Sequence, residues 1–227
     1  MDQLLDIPLF AGVNPDVSNS FSARCVWREY QANELIIDHN DSSNDVRFIL
    51  TGLVRIIIRV SAGREVILND AKPGDFFGEL SAIDGSTRSA NVTAITRSRM
   101  CIMPAQVFMD ILDTSPSVNH TVLRKLTDDI RRLSNRLSEY SFLQARHRLY
   151  AELLRLSHPR SGHPDQRVIS PPPIQREIAD RIASRREVVS REMKSLERDG
   201  CLEKTRGALI ITDIDELNRR ITSGWNE

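Results

Sequence analysis

The chain has 227 residues, 40% of them hydrophobic and 27% charged, which is enough for one large or two modest domains, each with its own core. Its 31 basic and 31 acidic residues cancel, so bulk charge supports neither a nucleic-acid coat nor a membrane-surface protein. The balance is uneven along the chain: residues 1–110 hold 10 Lys/Arg against 14 Asp/Glu, and the remainder hold 21 against 17. Most basic side chains therefore fall in the second half, where contact with DNA would use them.

Cys25, Cys101 and Cys201 are far apart and form no CxxC pair or Cys/His metal spacing, so they read as small buried hydrophobes in a reducing compartment. The start, MDQLLDIPLF, lacks the basic and long apolar regions of a signal peptide. No run approaches about 20 apolar residues, so the expectation is a cytoplasmic protein with no membrane partner.

Residues 1–25 carry short helical patterns, with Leu4, Leu5, Ile7 and Leu9 followed by a turn at Asn14-Pro15-Asp16. Between Trp27 and Pro104 the texture becomes β. Short apolar runs occur at 35–37, 46–50, 53–58, 66–68, 91–95 and 100–102, with turn signals at His39-Asn40-Asp41, Thr51-Gly52, Ala62-Gly63 and Pro73-Gly74. That spacing predicts an antiparallel β-roll of jelly-roll type.

Inside the roll lies Gly74-Asp75-Phe76-Phe77-Gly78-Glu79-Leu80-Ser81, followed by Thr87-Arg88-Ser89-Ala90. Two glycines allow close backbone approach, Glu79 offers a carboxylate to a sugar hydroxyl, and Arg88 with Ser89 offers a cationic fork and a hydroxyl. One small anionic nucleotide would satisfy all of these groups. The pattern resembles the phosphate-binding cassette of cyclic-nucleotide-binding domains.

A long helix is predicted next. Leu123, Leu126, Ile130, Leu133, Leu137 and Tyr140 form an a/d seam, flanked by Arg131, Arg132, Arg136 and Glu139, which suggests a two-stranded coiled coil and a homodimer. The alternative is one amphipathic helix covering its own roll. The segment 158–165 reads as a polar connector, and Pro171-Pro172-Pro173 stiffens the entry into a pair of helices.

Residues 174–198 predict that pair, two short helices joined by a tight turn. The first is marked by Ile174, Ile178 and Ile182, the second by Val188, Val189, Met193 and Leu196. Ser184 and Glu187 fit a capping box that would start the second helix. Its outer surface carries Arg185, Arg186, Glu187, Ser190, Arg191 and Lys194, and the segments 202–204 and 209–211 suggest a β-hairpin wing.

These features together resemble the cAMP receptor protein (Crp/Fnr) family of bacterial transcription regulators over nearly the whole chain. The resemblance implies an α+β protein: a jelly-roll cyclic-nucleotide-binding domain over 1–114, a dimerisation helix over 115–144 and a winged helix-turn-helix over 145–227. It further implies that Gly78 and Glu79 face the ribose and that Arg88 and Ser89 hold the cyclic phosphate. Leu80 and Ala90 would pack beneath the clamp, beside Ser81, while Val54, Ile56 and Leu68 line the base pocket. Asn69, Leu133, Ser134 and Asn135 fall near the sugar or purine edge. The implied effector is cAMP first and cGMP second.

Arg186, Glu187 and Arg191 fall where that family places its base-reading set. Arginine can bind guanine bidentately and glutamate can accept from cytosine N4, so a palindromic site with TGTGA-like half-sites is implied, with RNA polymerase as a further partner. Two departures stand out: Ala183 replaces the usual turn glycine, and Arg185 replaces a serine.

Other readings of the same scaffold remain open at this point. These are a regulator answering to haem-bound gas or another nucleotide, one acting without ligand, or a sensor module outside transcription. Against haem, residues 26–110 contain only His39; against an iron–sulfur centre, the cysteines are not clustered. No histidine and carboxylate cluster suggests a metalloenzyme, and no nucleophile–base pair accompanies the cassette, so neither a metal nor a catalytic residue is expected.

Overall fold

The computed structural model describes residues 4–60 and 64–226. Two 3-10 turns, Leu4–Asp6 and Pro8–Phe10, precede helix α1 (Pro15–Ser22). Its N-cap Asn14 accepts from the Asp16 amide, which satisfies one of the orphan donors of the first turn. Strands β1 (Val26–Tyr30), β2 (Leu35–Ile37), β3 (Val46–Thr51), β4 (Val54–Val60), β5 (Arg64–Ala71) and β6 (Phe76–Phe77) come next. Helix α2 (Glu79–Asp84) then interrupts the roll before β7 (Asn91–Ala94) and β8 (Ser98–Met103).

The strands form two antiparallel sheets, ordered β1-β8-β3-β6 and β2-β7-β4-β5. Alternation along β3 decides which residues face which layer. Val46 and Phe48 enter a core shared with helix α3 (Ala105–Thr114), the first turns of helix α4 (Pro116–Phe142) and the amino-terminal segment. Ile49 enters a second core between the sheets with Tyr30, Val54, Phe77, Val92 and Met100. Phe48 stacks against Phe10, Phe76 and Phe108 at centroid distances of 5.0, 5.5 and 6.3 Å. Each such ring contributes about 1.5–3 kcal/mol by burial. The hairpin between β3 and β4 turns at Gly52, φ 92°, where an added Cβ would lie 2.2 Å from Ser98 Oγ, so only glycine fits. The predicted turn at Ala62-Gly63 lies outside the described residues.

The chain divides into two compact units, 1–129 and 130–227. In the second, the last turns of α4 lead to α5 (Ala145–Leu156), β9 (His158–Arg160), β10 (His163–Ile169), α6 (Gln175–Arg181), α7 (Arg186–Arg198), β11 (Leu202–Lys204), β12 (Leu209–Ile211) and α8 (Ile214–Gly224). The sheet order is β11-β12-β10-β9, and its core joins Leu149, Leu153, Ile178, Val189, Leu196 and Ile211. Among the described residues no helix is long and apolar enough to cross a membrane.

Two local expectations are corrected. The segment 158–165 is no simple connector: it forms β9 and the start of β10, and its polarity reflects strands whose side chains are largely exposed. Ser184 does not cap α7, which begins one residue later with Arg185 at the N-cap and no side-chain cap bond. The reason is the end of α6. Ala183 takes a left-handed conformation, φ 48°, and the Ser184 amide donates to Ala179 O at 2.9 Å, closing a Schellman-type turn.

A left-handed alanine is strained by about 1–2 kcal/mol, partly offset in a glycine variant by greater unfolded-state freedom. Ala183→Gly should therefore raise stability by about 0.5–1 kcal/mol, measured as the urea midpoint at constant m-value.

Candidate functional site

The cassette is built from three separate chain segments. Strand β6 ends at Phe77, and Gly78, φ 86°, turns the backbone into α2. Arg88 arrives from the loop before β7 and is 2% exposed. Its Nε donates to Ser43 Oγ at 3.1 Å, Nη1 to Gly78 O at 2.9 Å, and Nη2 to Asp45 O and Oδ1 at 2.7 and 3.0 Å. Burial pushes the guanidinium below its usual pKa, and Asp45 opposes that shift. Removing Arg88 would leave the Asp45 carboxylate with Arg47 as its remaining ion-pair partner. Gly78 is required by contact as well as by φ: a Cβ there would lie 2.6 Å from Arg88 Nη1 and 2.9 Å from Asp45 O.

Glu79 is 7% exposed at the start of α2. Burial raises its carboxyl pKa above the ordinary 4.5, reinforced by the negative charge of Asp129 and opposed first by Lys125 and less by Arg88. No ion pair joins Glu79 to Arg88 among the described residues; the partner of Arg88 is Asp45. Lys125 lies on α4, where its Nζ pairs with Asp129 Oδ2 at 2.8 Å and sits 5.0 Å from the centroid of Phe76. The cassette carboxylate is thereby coupled to the long helix within the first unit.

The remaining cassette positions divide by exposure. Ser81 and Ala90 are buried and Ser89 is exposed. Leu80, expected beneath the clamp, is 48% exposed instead, because α2 turns that position outward. Asn69 is half-buried in β5 opposite Ile56, next to an irregularity in the β4–β5 register between Ile56 and Ile57. Val54 is fully buried in the inter-sheet core, with Ile56 packed at its edge. Leu133, Ser134 and Asn135 are exposed positions of α4 within the second unit. Sequence reasoning missed Ser43, Asp45, Arg47 and Lys125. The charged Asp45-x-Arg47 pair opening an apolar strand was the available signal.

In the second unit, Val189, Met193 and Leu196 fix α7 to its core. Its other side presents Arg186, Glu187, Ser190, Arg191 and Lys194 around one surface recess. Arg185, Arg186, Glu187, Arg191 and Lys194 are exposed, and the ion pair found on this face is that of Arg191 with Glu192, at 3.5 Å. Such a face can meet phosphates and base edges. The carbonyl end of α6 is held in turn: Tyr140 Oη donates to Arg181 O at 2.9 Å, Arg136 donates to the same oxygen, and Arg148 Nε donates to Ile182 O at 3.1 Å. Cations at a helix carboxyl end oppose its dipole favourably. Along α4, Leu123, Ile130, Leu133 and Leu137 form an exposed apolar stripe, from 49% to 67% accessible.

For Glu79, the folded protein binds more protons than the unfolded chain between pH 4.5 and its raised folded value, so stability falls as pH rises through that window. Glu79→Gln should remove this slope. The ligand-free variant is expected to exceed wild type in stability at pH 7, with the gap closing as pH falls toward 4.5, followed by urea unfolding across a pH series.

The cyclic nucleotide-binding domain family matches residues 27–115, and the Crp-like helix-turn-helix domain family matches residues 147–220. A CRP-like cAMP-activated global transcriptional regulator from Mycobacterium tuberculosis is 26% identical over 223 residues, covering 97% of this chain and 99% of that one. The cAMP-activated global transcriptional regulator Vfr from Pseudomonas aeruginosa is 29% identical over 195 residues, covering 83% and 90%. Among solved structures, a CooA mutant from Carboxydothermus hydrogenoformans superposes with a TM-score of 0.77 at 20% identity, covering 89% and 90%. With a cyclic nucleotide-binding roll followed by a Crp-like helix-turn-helix, this chain belongs to the Crp/Fnr family of transcription regulators.

Proposed function

We propose that this protein is a homodimeric transcription regulator, not an enzyme, that binds cAMP, with cGMP as second choice, and reads a palindromic DNA site with TGTGA-like half-sites. The observation carrying this reading is the union in one chain of the Gly78–Glu79–Arg88 cassette and an α7 face whose charges are largely exposed. Relatives named as cAMP-activated, at 26% and 29% identity, support the choice of ligand.

The exposed stripe at Leu123, Ile130, Leu133 and Leu137 supports a second copy as its cover, since an a/d seam left in water is costly. In this scheme residues 1–114 sense, 115–144 dimerise and 145–227 bind DNA, with RNA polymerase as the further partner. Nucleotide at Glu79 would alter the field at Lys125 and Asp129. The same helix carries Arg136 and Tyr140, which grip the end of α6. Allostery then requires that the nucleotide bind the DNA-competent state more tightly, and that DNA reciprocally tighten nucleotide binding. Half-sites should lie about 34 Å apart, one helical turn.

Isothermal calorimetry with cAMP and with cGMP tests the ligand. Glu79→Ala should weaken binding by about 1.5–3 kcal/mol, the worth of a hydrogen bond to a charged group; unchanged affinity refutes the ribose contact. Gel-shift titration on a palindromic TGTGA probe tests the DNA reading. There Arg186→Ala should lose about 1–3 kcal/mol and relax selectivity at one base pair, and a variant as tight and selective as wild type would remove Arg186 from the reading set.

A further inference from the structure

Arg47 lies beside the cassette and has no role in the function proposed so far. Its cross-strand partners are Phe77 on β6 and Ile102 on β8. Both belong to or border the inter-sheet core, and directly opposed residues share a face, so the Arg47 side chain enters the space between the sheets. The residue is only 9% exposed.

Inside that space its guanidinium is poorly satisfied. Nη2 lies 3.0 Å from Asp45 Oδ2 as an ion pair, although the contact lacks hydrogen-bond geometry, and Nε and Nη1 have no hydrogen-bond partner among the described residues. Arg88 presents the opposite case, with Nε, Nη1 and Nη2 all donating to protein acceptors. Asp45 stands between the two, Oδ1 on Arg88 and Oδ2 on Arg47, so two buried cations share one carboxylate. The exposed Asp41 carboxylate also acts on both cations, but it leaves the buried N–H donors of Arg47 without an acceptor, which is unfavourable until an anion joins them.

We propose that Arg47 supplies the free donors that seize the ligand's anionic phosphate group, while Arg88, locked by Ser43, Asp45 and Gly78, forms the fixed wall of the same seat. Arg47 is then a ligand-binding residue in its own right, and the seat suits a phosphate oxygen because guanidinium donors match it. The assignment rests on and extends the nucleotide reading, yet its anion-binding core can be tested without any nucleotide.

Inorganic phosphate is the first probe. The melting temperature of the full-length chain is compared in phosphate and in chloride at matched ionic strength, for wild type and for Arg47→Gln. Phosphate should protect wild type, and that protection should disappear in the variant; protection absent from wild type, or retained by Arg47→Gln, overturns the proposal. Should Arg47→Gln not fold in chloride, Arg47→Lys decides. It keeps the charge but lacks Nε and Nη1, and is expected to halve the phosphate-induced shift or reduce it further, whereas an undiminished shift refutes the role given to those donors.

Calorimetry with cAMP and cGMP is the second arm. Arg47→Gln should weaken nucleotide binding at least tenfold at a temperature where both proteins are folded, and affinity within twofold of wild type overturns the contact. Phosphate protection that depends on Arg47, in a wild type that binds neither nucleotide, would sustain the anion seat and refute the nucleotide reading.

Discussion

The Arg88–Asp45 pair is the constraint on which the first unit is built. It fastens the loop before β3, the turn from β6 into α2 and the approach to β7, three segments far apart in sequence. Gly78 has to be glycine because this pair occupies the space where its side chain would be. Glu79 sits on a helix that can start only after that left-handed turn, which holds its carboxylate in a buried place where ionisation is disfavoured. The geometry of the cassette is therefore a consequence of one buried ion pair, with the aromatic packing of Phe48, Phe76 and Phe108 as its floor.

The second half has an analogous anchor at the end of α6. Arg136, Tyr140 and Arg148 satisfy the carbonyls of Arg181 and Ile182, and Ala183 turns the chain left-handed immediately afterward. Buried Glu152 balances the cations nearby, receiving Arg155 at 2.9 Å and approaching Arg181 at 3.7 Å. A shift of α4 at Arg136 and Tyr140 would be felt first at this turn, directly ahead of the side chains proposed to face DNA.

Much of this was legible in the sequence because it is periodic or local. The β-branched runs located the roll, the Ile and Leu spacings located α6 and α7, and the 202–211 pattern located the wing. The features that escaped depend on backbone detail or on distant contacts. Ser184 looked like a cap, but capping is set by φ and ψ, and a left-handed Ala183 moved the start of α7 by one residue. Leu80 looked like a buried clamp residue, but a six-residue helix turned it outward. Arg88 looked like a free cation, and only the fold reveals that residues 43–45 precede the strand beside it and occupy its donors. Arg47, in an otherwise apolar strand, shows its meaning only once Phe77 is known to lie opposite.

Three local features work against the stability of this fold: buried Glu79, the unsatisfied donors of Arg47, and left-handed Ala183. Each is a local departure from agreement between sequence pattern and fold, and such departures are informative by position. Two lie at the Gly78–Arg88 cassette and the third at the entrance to the helix proposed to read DNA. A ligand carrying both a hydroxyl for Glu79 and an anion for Arg47 would relieve the first two together. That relief drives a population shift only to the extent that it is greater in the DNA-competent conformation than in its alternative. The strain at Ala183 lies where such a shift would be expressed, and a turn held against its preference can be displaced by a smaller change in the grip of Arg136 and Tyr140.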